Sequence, residues 1–328
     1  MLDNSTLSLV RLTEIFETYL QSQTYSQRPP ELYRPIDYIL SLGGKRIRPL
    51  AVLLGHQLYS NTTDDALPIA MAVELFHNFS LMHDDIMDES ELRRGQASTH
   101  IRYGINNALL SGDMALVLGY EYIAKCPSTL LAPLLNCYSE TARLVCEGQQ
   151  LDMNFETIPN PSLAEYMEMI RCKTAVLLGA SLALGAIRGG ATEAESLLLY
   201  NYGSCVGISF QLRDDYLDSF GEPMRTGKKA AGDIMQCKKT YLYIHTLNAL
   251  NGHAKNSFME LYNHPKKSGK DIEQILSIMR SVHTDASILE AIAHYDQQAK
   301  TILPITIQNL PAFEPIRQLQ DMLLHRMY

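Results

Sequence analysis

DDALPIAMAVELFHNFSLMHDDIMD, residues 64–88, decides the fold. Asp64 and Asp65 fit as N-terminal caps of a helix, and beyond them Leu67, Met71, Leu75, Phe79, Met82 and Ile86 spread apolar side chains around nearly its whole circumference. A helix that is apolar all round belongs in a core. Its burial carries His77, Asn78, Ser80 and His83 inward and leaves Asp84, Asp85 and Asp88 at its end, where carboxylates are costly unless metal or cationic partners meet them. Residues four apart on a helix lie about 40° from each other around the axis, so Asp84 and Asp88 share a face.

The acidic pentapeptide recurs as DDYLD, with Asp214, Asp215 and Asp218 following an apolar stretch through Tyr202, Val206, Ile208, Phe210 and Leu212. A single DDxxD string is most often a solvated helix end. Two copies, each set against a largely apolar helix, point instead to hard cations. Mg²⁺ suits such carboxylates because it takes one or two protein oxygens and fills its remaining positions with water and substrate phosphate.

Composition bounds the rest. With 328 residues and 46% hydrophobic content the chain can bury a sizeable core. A net charge of -8 argues against nucleic-acid binding through overall basicity, although a local basic pocket stays possible. The six cysteines (Cys126, Cys137, Cys146, Cys172, Cys205, Cys237) form no CxxC pair, which favours reduced thiols in a cytoplasmic protein over a disulfide or zinc framework. MLDNSTLSLVRL has no basic start followed by an apolar block, so no signal peptide is expected. The longest apolar stretch, Thr174 to Ile187, falls short of the roughly 18 to 20 residues that span a bilayer and reads as a buried helix, so no integral membrane segment is expected. Apolar residues recur at helical spacing nearly everywhere, without convincing period-two alternation. Breakers at Gln27–Pro30, Gly43–Pro49, Asn154–Pro161, Gly189–Gly190, Gly221–Gly232 and Asn263–Gly269 divide the helices, and none resembles a domain linker. The expectation is one all-α domain over residues 1–328.

Three basic clusters accompany the acidic motifs. GGKRIRP (43–49) carries Lys45, Arg46 and Arg48; LRRGQ carries Arg93 and Arg94; GKKAAGDIMQCKKT (227–240) carries Lys228, Lys229, Asp233, Lys238 and Lys239. Arginine forks and lysine point charges hold phosphate oxygens. The blander alternatives are a helix-terminating glycine followed by exposed cations for the first cluster and a solvated loop for the third.

GGKRIRP, HDDIMDESELRRG, GQQLD, KTA, FQLRDDYLD and GKKAAGDIMQCKKT, in this order between residues 43 and 240, resemble the trans-prenyltransferases, or polyprenyl diphosphate synthases. The resemblance implies an isoprenoid synthase-type helical bundle around a central cavity, usually homodimeric. It implies head-to-tail condensation of isopentenyl diphosphate with an allylic diphosphate (dimethylallyl, geranyl or farnesyl). The two aspartate motifs would face each other and hold about three Mg²⁺ on the allylic diphosphate. Asp84, Asp85 and Asp88 resemble the first metal set, with Asp214, Asp215 and Asp218 the second. Lys45, Arg48, His77 and Arg94 resemble a metal-free isopentenyl diphosphate pocket, while Arg93, Lys228 and Lys238 resemble allylic diphosphate contacts. Lys173, Thr174 and Gln211, with Lys228, match catalytic positions at the allylic centre; Gln149 and Asp152 match an element beside the metals, and Asp233 with Lys238 closes the second motif. Released pyrophosphate is implied as the proton acceptor, so no side-chain base is assigned. At Ala231 the family often has glycine, and little consequence is expected; residues 241–328 carry no readable motif.

The same resemblance makes Phe79, followed by Ser80, a floor of the product cavity and favours a twenty- or fifteen-carbon product. The helical wheel does not establish this, since it sets Phe79 about 140° from Asp84, and Phe79 as ordinary core remains the alternative. A longer-chain synthase, a class I terpene cyclase and a non-catalytic partner subunit are the rival readings. A cyclase needs no second, metal-free diphosphate pocket, and a partner subunit could be expected to lose aspartates.

Overall fold

Helices carry nearly all of the structured chain, as the spacing predicts. The structure is a computed structural model and describes residues 6–25, 28–221 and 231–325. The helices up to the first acidic motif are α1 (Leu9–Ser22), α2 (Pro30–Ser41), α3 (Ile47–Gln57) and α4 (Leu67–Met87). There follow α5 (Thr99–Tyr103), α6 (Ile105–Ala124), α7 (Ser128–Thr157), α8 (Leu163–Ile170), α9 (Val176–Gly189) and α10 (Glu193–Phe220). After these come α11 (Gly232–Met235), α12 (Tyr241–Ala249), α13 (Gly252–Tyr262), α14 (Gly269–Ser281), α15 (Thr284–Ile302), α16 (Ile305–Gln308) and α17 (Glu314–His325). The one sheet among the described residues is a hairpin of two-residue strands, β1 (Leu92–Arg93) and β2 (Gln96–Ala97). Packing divides the chain into two compact units, one made of Met1–Ala142, Leu177–Asn201 and Leu303–Met322, the other of Arg143–Val176, Tyr202–Ile302 and Leu323–Tyr328.

In the first unit α4 is the core helix, packed most extensively against α6 and then α3. It buries residues on every side, from Leu67 and Ile69 through Phe76, Asn78 and Phe79 to Met82 and Asp85. The inner face of α6 is built from small residues, Ala108, Ser111, Gly112, Ala115 and Gly119, which let the two backbones approach. At Gly112 a Cβ would stand 2.4 Å from His83 Nε2, so a side chain there would displace the His83 ring at the end of α4. The opposite face of α6 leaves Ile105, Leu109, Leu110 and Val117 exposed. Asp64 and Asp65 do not cap α4. They lie in a 3₁₀ turn, Thr63–Ala66, where Asp65 accepts from Thr62 Oγ1 (2.6 Å) and pairs with Arg188 (2.8 Å). Pro68, in the first turn of α4, has no N–H to be capped.

The second unit is organised on α12, which packs against α8, α13, α14 and α15. Tyr243 sits with its ring 4.5 Å from Tyr262 and 5.8 Å from Phe258, and Ile275, Met279, Ile288 and Ile292 complete this core. A capping box, Ser268 with Asp271, starts α14. The motif-free segment from 241 to 302 therefore supplies apolar packing.

Thr174 to Ile187 belongs to a longer helical run, Leu163–Gly189, interrupted by a π turn at Arg171–Ala175. The run is long and apolar enough to cross a membrane, and 83% of its apolar window is buried within the protein, the environment of a core helix.

Candidate active site

In the first unit the cations gather around one histidine. The loop before α3 uses left-handed backbone at Gly43, Gly44 and Arg46 (φ 74°, 141° and 49°). A Cβ at Gly44 would lie 2.9 Å from the Arg94 guanidinium carbon, so glycine is what admits Arg94, whose Nη1 donates to the Gly43 carbonyl. Arg48 Nη1 lies 3.1 Å from His77 Nε2. Burial first, then Arg48, Arg94 and Arg93, hold the His77 pKa well below its usual value, so the ring is neutral and accepts from Arg48. Burial also draws Arg48 down to about 10, with Glu74 opposing and Arg94 adding to the shift. Lys45 is exposed beside this group in sequence.

Arg46 is not part of this anion-binding set. Its side chain is 3% exposed, with Nε on Glu17 (2.8 Å), Nη1 on Glu74 (2.5 Å) and Nη2 on the Leu40 carbonyl (2.8 Å). It ties the GGKRIRP loop to α1, α2 and α4, and neither glutamate was recognisable from the sequence as a site residue.

The first acidic motif separates into roles. Asp85 is fully buried and takes Arg93 on both oxygens, from Nε at 3.0 and 3.2 Å and from Nη2. Arg93 remains charged: burial is the largest influence and opposes its charge, but Asp85, Asp84 and Asp88 together hold its pKa above the usual value. Asp84 is half-buried with Arg93 Nη2 at 3.7 Å, and Asp88 is exposed. Phe79, 8% exposed, has its ring 4.7 Å from His83 and 5.6 Å from Phe76, and Ser80 turns its hydroxyl to the His77 carbonyl.

In the second unit, α7 and α10 close on the π turn. A Cβ at Gly148 would come within 2.3 Å of the Lys173 nitrogen, and one at Gly207 within 2.6 Å of Ala175 Cα. Lys173 Nζ meets Asp152 at 2.6 Å, which joins the GQQLD and KTA motifs. Thr174 Oγ1 donates to Gln211 Oε1 (3.2 Å), and Gln211 Nε2 donates to Asp215 Oδ1 (3.1 Å). Asp215 is 3% exposed, and Tyr166 Oη donates to its other oxygen. Burial and then Asp233 push its pKa up to about 7, against the two donors. Asp214 is half-buried. Asp218 Oδ2 accepts from the Asp233 nitrogen (2.9 Å) and its carbonyl from the Ala231 nitrogen (2.7 Å), so Asp218 organises the start of α11. Lys239 donates to the carbonyls of Phe155, Glu156 and Ile158 (2.9, 3.0 and 2.6 Å), which makes it a cap for the end of α7. Lys238 is exposed, its carbonyl taken by Tyr262 Oη (2.6 Å). Lys228 and Lys229 lie outside the described residues.

The donors suit Mg²⁺. All are hard carboxylate oxygens, and among the described residues no three carboxylate, imidazole or thiol side chains converge into a closed cage. An ion that takes one or two carboxylates and completes its shell with water and phosphate suits donors of this kind.

A family model described as Polyprenyl synthetase matches residues 29–279. The chain belongs to the polyprenyl synthetase family. The expected all-helical fold and prenyltransferase class hold accordingly. Among relatives in the polyprenyl synthetase family, a short chain isoprenyl diphosphate synthase of Methanocaldococcus jannaschii is 36% identical over 79% of each chain. A geranylgeranyl diphosphate synthase of Methanosarcina mazei is 33% identical over 92% of this chain and 91% of its own. Among solved structures, a geranylgeranyl pyrophosphate synthase superposes with a TM-score of 0.89 at 39% identity, over 97% of this chain and 98% of its own. A geranylgeranyl pyrophosphate synthetase from Pyrococcus horikoshii gives the same TM-score at 29% identity, with the same coverage.

Proposed function

We propose that residues 1–328 act as one catalytic domain that condenses isopentenyl diphosphate head to tail with an allylic diphosphate and releases a linear trans-prenyl diphosphate. The observation that carries this reading is the arginine group around neutral His77. Arg48 and Arg94 concentrate positive charge where, among the described residues, Glu74 is the carboxylate acting on them, and Glu74 is occupied by Arg46. Such a pocket binds a diphosphate by charge, without metal. A terpene cyclase has no use for it, and both aspartate motifs are intact, which disfavours a non-catalytic subunit.

In the first unit Asp84 and Asp88 would hold Mg²⁺ on the allylic diphosphate, with Asp85 fixing Arg93 toward the same anion; in the second unit Asp214 would be the metal-holding carboxylate. Bound Mg²⁺ supplies Lewis-acid stabilisation of departing pyrophosphate. Thr174, its hydroxyl proton given to Gln211, would then offer oxygen lone pairs to the allylic carbon, with Lys173 fixed on Asp152 beside it, an arrangement that stabilises developing positive charge. Isopentenyl diphosphate, fixed at Lys45, Arg48, His77 and Arg94, presents its double bond, so positioning contributes as much as charge. Lys238, and Lys228 outside the described residues, complete the allylic diphosphate contacts.

The names of the Methanosarcina mazei relative and of the superposed structures support a twenty-carbon product. Geranylfarnesyl diphosphate synthases of Natronomonas pharaonis and Aeropyrum pernix, 31% and 34% identical, favour a second reading with one further isoprene unit. The test is a product profile with Mg²⁺, isopentenyl diphosphate and each allylic primer, resolved after dephosphorylation. Linear prenols of a dominant length support the reading; cyclic hydrocarbons, or no product with any primer, overturn it.

A further inference from the structure

Tyr166 belongs to none of the motifs, yet it closes the hydrogen-bond chain behind the allylic centre. It lies on α8, four residues before that helix ends at Ile170 and gives way to the π turn, and is 2% exposed. Its hydroxyl donates to Asp215 Oδ2; Asp215 Oδ1 accepts from Gln211 Nε2 at 3.1 Å; Gln211 Oε1 accepts from Thr174 Oγ1 at 3.2 Å. The polarity of this chain follows from its buried end. With Asp215 ionised and accepting on both oxygens, the Gln211 amide turns its NH₂ toward Asp215 and its carbonyl toward Thr174. Thr174 then spends its single proton on Gln211, and its lone pairs are left for whatever lies beyond. Were the Gln211 amide reversed, its NH₂ would face Thr174, and the hydroxyl proton would be free to point at the reacting carbon, the wrong sign for a developing cation.

The chain also accounts for Asp215 itself. Both its oxygens carry donors and its side chain is buried, whereas Asp214 beside it is half-buried. We propose that Tyr166 and Asp215 are a positioning pair: they fix the orientation of Gln211 and hence the outward lone pairs of Thr174, and Asp215 does not hold metal. This deepens the prenyl-transfer reading and rests on it.

The test combines metal binding with kinetics in Tyr166→Phe, Asp215→Asn and Asp214→Asn, with folding checked by thermal melting. Binding of Mg²⁺ with inorganic pyrophosphate is read by calorimetry without allylic substrate. Asn at 215 still offers an oxygen to Gln211 and an NH₂ to Tyr166, so Asp215→Asn and Tyr166→Phe should keep the Mg²⁺ midpoint within about twofold, whereas Asp214→Asn should raise it about tenfold or more. Tyr166→Phe should lower kcat about tenfold, in line with loss of a hydrogen bond to a charged group, while KM for both substrates moves less than about twofold. In a Thr174→Val background the same change should add little, because the chain is already cut. Wild-type kcat in folded Tyr166→Phe, additive losses with Thr174→Val, or an Asp215→Asn midpoint as weak as that of Asp214→Asn would each overturn the proposal. A wild-type protein that makes no prenol would sink the reaction instead, while the calorimetric comparison of Asp214 and Asp215 would still decide whether Asp215 holds metal.

Discussion

Ala231 shows the cost of one methyl group. It opens α11 at φ 62° and is fully buried, with its nitrogen on the Asp218 carbonyl. Left-handed backbone costs a residue with a Cβ about 1 to 2 kcal/mol, more than the entropy that glycine adds to the unfolded chain. The position thus has a consequence that its place in the sequence did not suggest. Ala231→Gly should stabilise the protein by about 0.5 to 1 kcal/mol, seen as a rise of about 1 to 3 °C in Tm; a lower Tm would mean that packing of the buried methyl outweighs the backbone. Phe79 can be tested by separating two effects. If it bounds the product cavity, Phe79→Ala lengthens the product in a folded protein. If it is only core, the product length is unchanged and stability falls by about 3 to 5 kcal/mol. The residue types of the site were legible in the sequence, because carboxylates and arginines in fixed strings point to diphosphate and metal. Their division of labour was not. Arg46 and Arg48 look alike in GGKRIRP, and only Glu17 and Glu74, 29 and 28 positions away, show that Arg46 is an internal tie.

At the scale of elements, the motifs mark where helices meet. The sequence reading located GQQLD, KTA and FQLRDDYLD but could not see that Gly148 and Gly207 admit the π turn between α7 and α10, since close approach leaves no periodic trace. The breakers at Asn154–Pro161 were legible, whereas the lysine that secures that helix end came from a cluster read as phosphate-binding. Three carbonyls at the end of α7 depend on Lys239. Replacing it with Met keeps the apolar stem and removes the donors. Lys239→Met should destabilise the protein by about 1 to 3 kcal/mol and speed amide exchange in the last turn of α7, with KM for isopentenyl diphosphate unchanged. A large rise in that KM with normal stability would instead place Lys239 at the substrate.

Across the whole molecule, apolar surface is what the chemistry leaves unexplained. Residues 241–302 had no motif because aromatic and aliphatic packing needs only volume and period, and the aromatic core around Tyr243 accounts for them. The outer face of α6 is different: Ile105, Leu109, Leu110 and Val117 lie within about 140° of one another around the helix and are 59, 46, 59 and 49% exposed. These four side chains flank the exposed Asp113 on a water-facing helix, and a homodimer, the assembly expected from the family resemblance, would cover them. Fully burying one such side chain contributes about 1.5 to 3 kcal/mol, so the half-exposed four, counted on both copies, are enough to offset the cost of association. Wild type should therefore elute as a dimer by light scattering at micromolar concentration. Leu109→Lys with Val117→Lys should give a monomer with unchanged helical content, because neither side chain is in the core. A wild-type monomer, or a double variant that stays dimeric, would move the interface off α6.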